Sequence, residues 1–330
     1  MANTINWGKI YESTYWGNTD NNISWGKAYA DLAGVVPALV SEFVSRVEAD
    51  GGSVESTECM STDLTFLVNN PEPVAFTGLL NDYSGAAAAY SLRLLNNTYS
   101  GNAIKVRRSS DNAEQDIAFV NNELDTASLE TFAGSGDAFV TTWYDQSGNG
   151  VDAANASASS QPKIVSSGST ILENGKAAVE FDGSDDYLYS STFSQSQPNT
   201  IFAILKQTRT NIGGESFLQS TNNNSLLYSY STTNYALYAG IAIEGDTTNT
   251  NQNLYYGLIN GLSSSLQTNN STEYSGDTGN GIWTDLYLSG RDGASNFSAA
   301  KFQEIIVFSG NKSTDKNDIQ TNINDFYSIY

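Results

Sequence analysis

The chain has 330 residues, and 36 Asp and Glu against 15 Lys and Arg leave a net charge of −21. Such a field excludes nucleic acid as a partner, because phosphates need clustered Lys and Arg, and it excludes unassisted docking to anionic membranes. With no His and one Cys, Cys59, His-based triads, His-ligated metals, zinc fingers and an intramolecular disulfide are all ruled out. Oxygen-ligated Ca²⁺ and paired carboxylates stay open.

The 19 Tyr and 14 Phe, set among Asn, Ser, Thr and Gly, predict many short strands joined by turns. No apolar run reaches the ~20 residues of a membrane-spanning helix. The opening residues, Met1 to Trp7, have neither the basic region nor the apolar core of a signal peptide.

Residues 1–35 carry an internal repeat. Ile5-Asn6-Trp7-Gly8-Lys9 returns as Ile23-Ser24-Trp25-Gly26-Lys27, with Tyr15-Trp16-Gly17 between. So short a segment cannot bury three indoles by itself. Trp7, Trp16 and Trp25 are therefore assigned to an attachment peptide that docks on another protein; the alternative is that they fold back on the chain's own core. Residues 36–73 read as a small helical adaptor and linker. Pro37 opens a helix over 37–49 with Leu39, Val40, Phe43, Val44 and Val47 on one stripe, Cys59 is a small buried hydrophobe, and Pro71-Glu72-Pro73 marks the boundary.

Residues 74–330 read as one mainly β domain. A second helix is predicted over 85–97, from Ala86 to Leu95. Strands are predicted at 103–107, 139–144, 177–181, 200–206, 226–230, 235–243, 254–259, 285–289 and 302–308, at the spacing of a sandwich. Asn260-Gly261 signals a two-residue hairpin turn. A terminal helix starts near Ser313, with Ile319, Ile323, Phe326, Tyr327 and Tyr330 along one face.

Two polar loops carry possible chemistry. Asp145 to Asp152 places alternating oxygens where Ca²⁺ could sit, or where Asp145 and Asn149 hydrogen-bond a tight turn. Asp182, Asp185 and Asp186 crowd three carboxylates into five positions, either as a Ca²⁺ site or as a solvated loop. Trp283 and Tyr228, Tyr230, Tyr235, Tyr238, Tyr255 and Tyr256 could stack on sugars, but strand alternation turns about half of such residues inward. Arg107-Arg108 is assigned to internal pairing with acidic groups.

Three blocks, Ala89-Tyr90-Ser91-Leu92-Arg93, Val106-Arg107-Arg108-Ser109-Ser110-Asp111 and Trp143-Tyr144-Asp145-Gln146-Ser147-Gly148-Asn149-Gly150, resemble the N-terminal part of the α-L-arabinofuranosidase B catalytic domain over residues 86–165. That resemblance implies a concanavalin A-like fold. It also implies a catalytic carboxylate pair downstream, where Glu244 with Asp246 is the suggestive pair. The family's paired cysteines are missing. From Ala177 to Phe308 the chain resembles a laminin-G-like jelly roll, and the Trp-Gly-Lys N-terminus resembles structural proteins of phages infecting Bacteroidetes.

The expectation drawn is a concanavalin A-like jelly-roll sandwich with a small helical N-terminal region and a C-terminal helix. In function it is a non-enzymatic virion structural protein: a head fibre, capsid decoration or tail fibre on the virion surface, joined to other virion proteins through its N-terminus. It would be a homo-oligomer that adheres to host-surface glycan without cleaving it, with no catalytic residue assigned and no glycan-binding residue chosen. The alternatives are a glycoside hydrolase of arabinofuranosidase type, using Asp145 with Asp152, Asp182 with Asp186, or Glu244 with Asp246, and an exported bacterial adhesin.

Overall fold

A computed structural model describes residues 76–330, apart from 210–213, 222–224, 230–232 and 291–294. The described chain falls in the compact unit Thr77–Tyr330. The expectations for Trp7, Trp16, Trp25, the helix over 37–49, Cys59 and the 71–73 linker lie outside the described residues.

In chain order the principal strands are β1 (Ala86–Ser91), β2 (Ile104–Arg108), β3 (Ala138–Trp143), β4 (Val179–Asp182), β5 (Leu188–Ser190), β6 (Asn199–Gln207), β7 (Glu215–Gln219), β8 (Ser225–Ser229), β9 (Asn234–Tyr238), β10 (Ala242–Thr247), β11 (Gln252–Ile259), β12 (Ser264–Thr268), β13 (Leu286–Leu288) and β14 (Ala299–Phe308). Helix α1 (Thr126–Ala133) lies between β2 and β3, and α2 (Lys316–Tyr327) comes last.

Two antiparallel layers form the expected sandwich. In the back layer β6 is flanked by β14, with Ile201 opposite Val307, and by β11, with Ile201 opposite Gly257. β12 extends this layer beyond β11, while β1 and β4 share the far edge of β14. The front layer runs β5, β13, β7, β8, β9, β10. Between the layers Phe217 meets Phe302 at 6.3 Å and Tyr255 at 6.2 Å, and Tyr235 meets Tyr255 at 4.9 Å.

Alternation explains why the back strands read as continuous apolar runs. Ile201, Ala203 and Leu205 enter the core between the layers, whereas Phe202 and Ile204 enter a second core beneath α2 with Ile319, Ile323 and Tyr327. Both faces are covered, so both sets of side chains are apolar. Burying each large side chain contributes about 1.5–3 kcal/mol.

The helix expected over 85–97 is instead the strand β1 over Ala86–Ser91, followed by irregular chain with an isolated bridge from Arg93 to Glu123. Local propensity favours helix for Ala86 to Ala89, but Ala87, Ala88, Ala89 and Tyr90 are buried and β1 pairs with β14, Tyr90 opposite Ile305. Tertiary burial on both faces overrides the propensity. At Asn260-Gly261 the chain does reverse between β11 and β12, but through a 3₁₀ turn, Gly261–Ser263, with Gly261 at φ +54°. The strand expected over 235–243 is split into β9 and β10 at Gly240, φ +116°. Helix α2 starts at Lys316 rather than Ser313, because Lys312 to Asp315 first close a turn.

Candidate functional site

The most family-specific string, Asp145 to Gly150, is architecture. The Asp145 carboxylate accepts the backbone N–H of Ala89 (2.8 Å), Ser147 (2.9 Å) and Val151 (3.1 Å) and the Ser147 hydroxyl (2.6 Å). Gln146 Nε2 donates to the carbonyls of Ser91 (3.1 Å) and Arg93 (3.0 Å), and Asn149 Nδ2 donates to Ala86 (2.9 Å). The loop thus pairs the free edge of β1 in place of another strand. Asp145, with its oxygens taken up in this way, is not available to a cation or to partner Asp152 in catalysis.

The turn from β4 to β5 gathers the other acidic group. Gly183 sits at φ +74°, and a Cβ there would lie 2.6 Å from Arg209 and 2.8 Å from Ala299, so the turn needs glycine. Asp182 accepts the Ser184 N–H (2.7 Å), Asp186 accepts the Asp182 N–H (3.0 Å), and Asp185 accepts the Ser160 hydroxyl (3.0 Å). One oxygen from each of Asp182, Asp185 and Asp186 lies within 4.8 Å of the others. Asp186 is 7% exposed. Burial pushes its carboxyl up to about 7, the Asp182 N–H pulls against this, and the charges of Asp182 and Asp185 add to the rise.

Arg209 ties this turn to the front layer. Its Nε donates to Glu215 Oε1 (2.5 Å), and its Nη2 to the carbonyls of Gly183 (3.0 Å) and Phe297 (3.5 Å). Glu215, 2% exposed, also accepts Gln207 Nε2 (2.9 Å). Directly after Asp186 comes a row of half-buried rings. Tyr187 lies 6.5 Å from Phe297 and 5.9 Å from Tyr287, and Tyr287 lies 4.4 Å from Tyr189. At the far end the buried Asp285 accepts the Ser220 hydroxyl (2.7 Å) and the Thr221 N–H (2.7 Å). Burial, and then the charge of Asp285, raise the Tyr189 hydroxyl.

The other expected residues are dispersed. Tyr235, Tyr255, Tyr256 and Trp283 are buried and cannot stack on a sugar, while Tyr238 is half-buried on β9. The side chains of Tyr228 and Tyr230 lie outside the described residues. Glu244 is exposed on β10, and Asp246 accepts the hydroxyls of Ser271 (2.5 Å) and Tyr274 (3.1 Å). Arg107 does pair internally, but with neutral Gln161, Asn112 and the Ala158 carbonyl, and Arg108 pairs with Asp111. A cleft of 520 Å³ beside α2 is lined by the carboxylates of Glu123, Asp125 and Glu130. There Glu123 is held by Lys176 and Glu130 by the Thr170 N–H, while Arg93 and Lys176 lie over the Phe326 ring.

Sequence reading missed Tyr187, Tyr189, Tyr287 and Arg209. The signal for the three Tyr was present as period-two alternation, Tyr187-Leu188-Tyr189 and Leu286-Tyr287-Leu288, which places Tyr on the outer face whenever Leu is core. What joins the two strands, Tyr189 opposite Tyr287, is set by a pairing across nearly a hundred residues.

The chain matches the family model "Alpha-L-arabinofuranosidase B, catalytic" over residues 82–271, more than half its length. Among solved structures it is similar to a GH54 α-L-arabinofuranosidase soaked with a cyclic sulfate inhibitor, at 19% identity and TM-score 0.52 over 72% of this chain and 62% of that one. It is also similar to an arabinofuranosidase complexed with arabinofuranosyl-α-1,2-xylobiose, at 16% identity and TM-score 0.53, with the same two coverages. The chain therefore spans 62% of the length of these structures, and the likeness to them is one of fold. No curated protein matches.

These findings overturn the expectation of a non-enzymatic phage fibre, decoration or adhesion protein, for the family is defined by a glycosidase catalytic domain and nothing in the comparisons points to a virion. The motifs at Ala89, Val106 and Trp143 outweigh the Trp-Gly-Lys repeat, because they lie within the matched residues 82–271. The chain belongs to the α-L-arabinofuranosidase B catalytic family.

Proposed function

We propose that this protein is a glycoside hydrolase that removes α-L-arabinofuranosyl groups through a pair of carboxyl groups. The observation that carries this reading is the family match over residues 82–271. The geometry that supports it is the Asp182–Asp186 turn beside the aromatic row. Asp186, held up to about 7, is a proton donor near neutral pH. Asp185 or Asp182 is the carboxylate that faces the anomeric carbon. Oxygens within 4.8 Å of one another lie nearer the roughly 5–5.5 Å separation of retaining enzymes than the roughly 6.5–9.5 Å of inverting ones.

Hydrolysis of 4-nitrophenyl α-L-arabinofuranoside tests the reading. Turnover by the wild type is expected, with a large loss in whichever of Asp182→Asn and Asp185→Asn removes the facing carboxylate, and with a loss in Asp186→Asn that grows on arabinosides with poorer leaving groups. No turnover at any pH between 4 and 9 would overturn the function. Turnover that survives in all three turn variants but is lost in Glu244→Gln or Asp246→Asn would move catalysis to β10, where two carboxylates two residues apart share one strand face.

The same three oxygens also support a second reading as a Ca²⁺ site, since their spacing suits ligands around a cation at roughly 2.3–2.6 Å. The two roles exclude each other, because a bound cation would hold Asp186 ionised. Activity that disappears on chelation and returns with Ca²⁺ favours the cation. Activity indifferent to both favours the proton donor.

A further inference from the structure

We infer that the uncharged end of the sandwich, which carries the exposed side chains of Ile241, Leu262 and Ile282, is a contact surface for a second copy of this chain, and that the protein forms a two-fold dimer through it. The inference stands apart from the glycosidase reading.

Three turns from both layers are locked together at this end. Ile241 lies in the turn from β9 to β10, Leu262 in the 3₁₀ turn Gly261–Ser263 from β11 to β12, and Ile282 in the segment that leads into β13. The Thr278 carbonyl accepts the N–H groups of Ala239 (3.1 Å) and Ile241 (2.9 Å), the Thr278 N–H donates to the Gly261 carbonyl (3.2 Å), and the Gly281 N–H donates to the Ala239 carbonyl (2.9 Å). Gln197 clamps the same turns: its Oε1 accepts the Gly261 N–H (2.7 Å), and its Nε2 donates to the carbonyls of Gly279 (3.0 Å) and Gly281 (2.9 Å). The surface is therefore ordered before any partner arrives, which lowers the entropic cost of binding.

Exposure and charge choose the partner. Leu262 is 81% exposed, Ile241 50% and Ile282 48%, which is half of the six exposed large hydrophobic residues among those described. Neighbouring Trp283 is buried edge-on against Phe193 at 5.5 Å, so this segment supplies the core with one side chain and leaves the next outside it. Residues 193–199, 239–243, 259–265 and 278–284 hold no Asp, Glu, Lys or Arg, in a chain of net charge −21. A charged partner would find nothing there to pair with. Two copies of so acidic a protein repel over most of their surface, and they can touch where carboxylates are missing. An uncharged apolar patch is also complementary to itself, as a two-fold contact requires, and depletion of charge marks the core of protein–protein contacts. At the margin Glu244 is exposed and Asp277 accepts the Gly279 N–H (2.7 Å). Repulsion between such carboxylates is screened by salt, so association should strengthen as ionic strength rises.

The test is sedimentation velocity of the full-length protein across a dilution series, at low and at high NaCl. The wild type is expected to show a monomer–dimer equilibrium that moves toward dimer with concentration and with salt. Leu262→Asp and Ile241→Asp should each raise the dimer Kd by roughly tenfold or more, the scale of losing a central contact. Leu262→Ser should weaken the dimer as well, which separates loss of the apolar contact from added repulsion. Thermal melts of the three variants, read at a dilution where the wild type is monomeric, should match the wild type, because the replaced side chains are exposed. Leu172→Asp, at an exposed Leu in the cleft beside α2, is the control and should leave the dimer intact. A wild type that stays monomeric at every concentration and salt would overturn the inference. So would a dimer that survives both Asp variants, one that Leu172→Asp disrupts equally, or one that weakens as salt rises, the mark of opposite charges pairing at another surface.

Discussion

Arg209 Nε lies 2.5 Å from Glu215 Oε1, joining the end of β6 to the start of β7, and the same guanidinium reaches the Gly183 carbonyl at 3.0 Å. One cation thereby fixes the carboxylate-bearing turn against the front layer. A Lys in its place would supply the charge but not the fork that serves two acceptors at once.

Asp186→Asn should act on both rate and stability, with opposite signs. The wild-type carboxyl is protonated below about 7, so activity that depends on it falls as pH rises through that value. The variant should lose this alkaline limb and roughly 10²–10⁴-fold in rate on substrates with poor leaving groups. For stability, the folded-state value is raised above that of the unfolded chain, so the native state binds the extra proton and stability declines as pH climbs from about 4 to 7. Thermal melts at pH 5 and pH 8 should show Asp186→Asn gaining on the wild type at the higher pH. Equal differences at both would refute the assignment.

Asp145→Ala should be a folding lesion. It removes an acceptor used by Ala89, Ser147 and Val151 and frees the edge of β1. The cost is about 3 kcal/mol or more by urea denaturation, while the activity per folded molecule stays close to that of the wild type. A soluble, fully stable variant would show that the loop is not the edge closure.

The buried pair Arg93–Glu304 predicts an asymmetry between single and double replacement. Arg93 Nε and Nη2 meet Glu304 at 2.7 and 2.9 Å, with Ser91 at 2.7 Å and Tyr327 at 3.3 Å on the same carboxylate. Arg93→Met leaves Glu304 buried without its cation and should cost about 3–5 kcal/mol. Combining it with Glu304→Leu should recover most of that loss. A double variant no better than the single one would show that the hydrogen bonds of Ser91 and Tyr327, rather than the charge, dominate.

Ile323→Ala tests whether α2 is part of the fold or an appendage. Ile323 is fully buried against the outer face of the back layer. A loss of about 2–5 kcal/mol is expected from the deleted contacts and the cavity left behind. A loss under roughly 0.5 kcal/mol, the scale of a surface change, would detach the helix from the core.

What the sequence determined by itself was periodicity and chemistry class. Runs such as Thr200 to Leu205 and Ile305 to Phe308 announced strands because every residue in them is apolar or β-prone, and Ile319, Ile323 and Tyr327 announced a helix by their spacing. The absence of His restricted any catalysis to carboxylates. Only the tertiary structure decided the rest. Whether Ala86 to Ala89 is helix or strand depends on burial on both faces by β14, over two hundred residues away. That Asp145 accepts three backbone N–H groups while Asp186 lies buried beside Asp182 and Asp185 is a difference no spacing in the sequence announces. The aromatic row exists only because β5 and β13 happen to be neighbours, placing Tyr189 opposite Tyr287; period-two alternation tells which face a Tyr takes, but strand pairing alone tells which Tyr stands beside it.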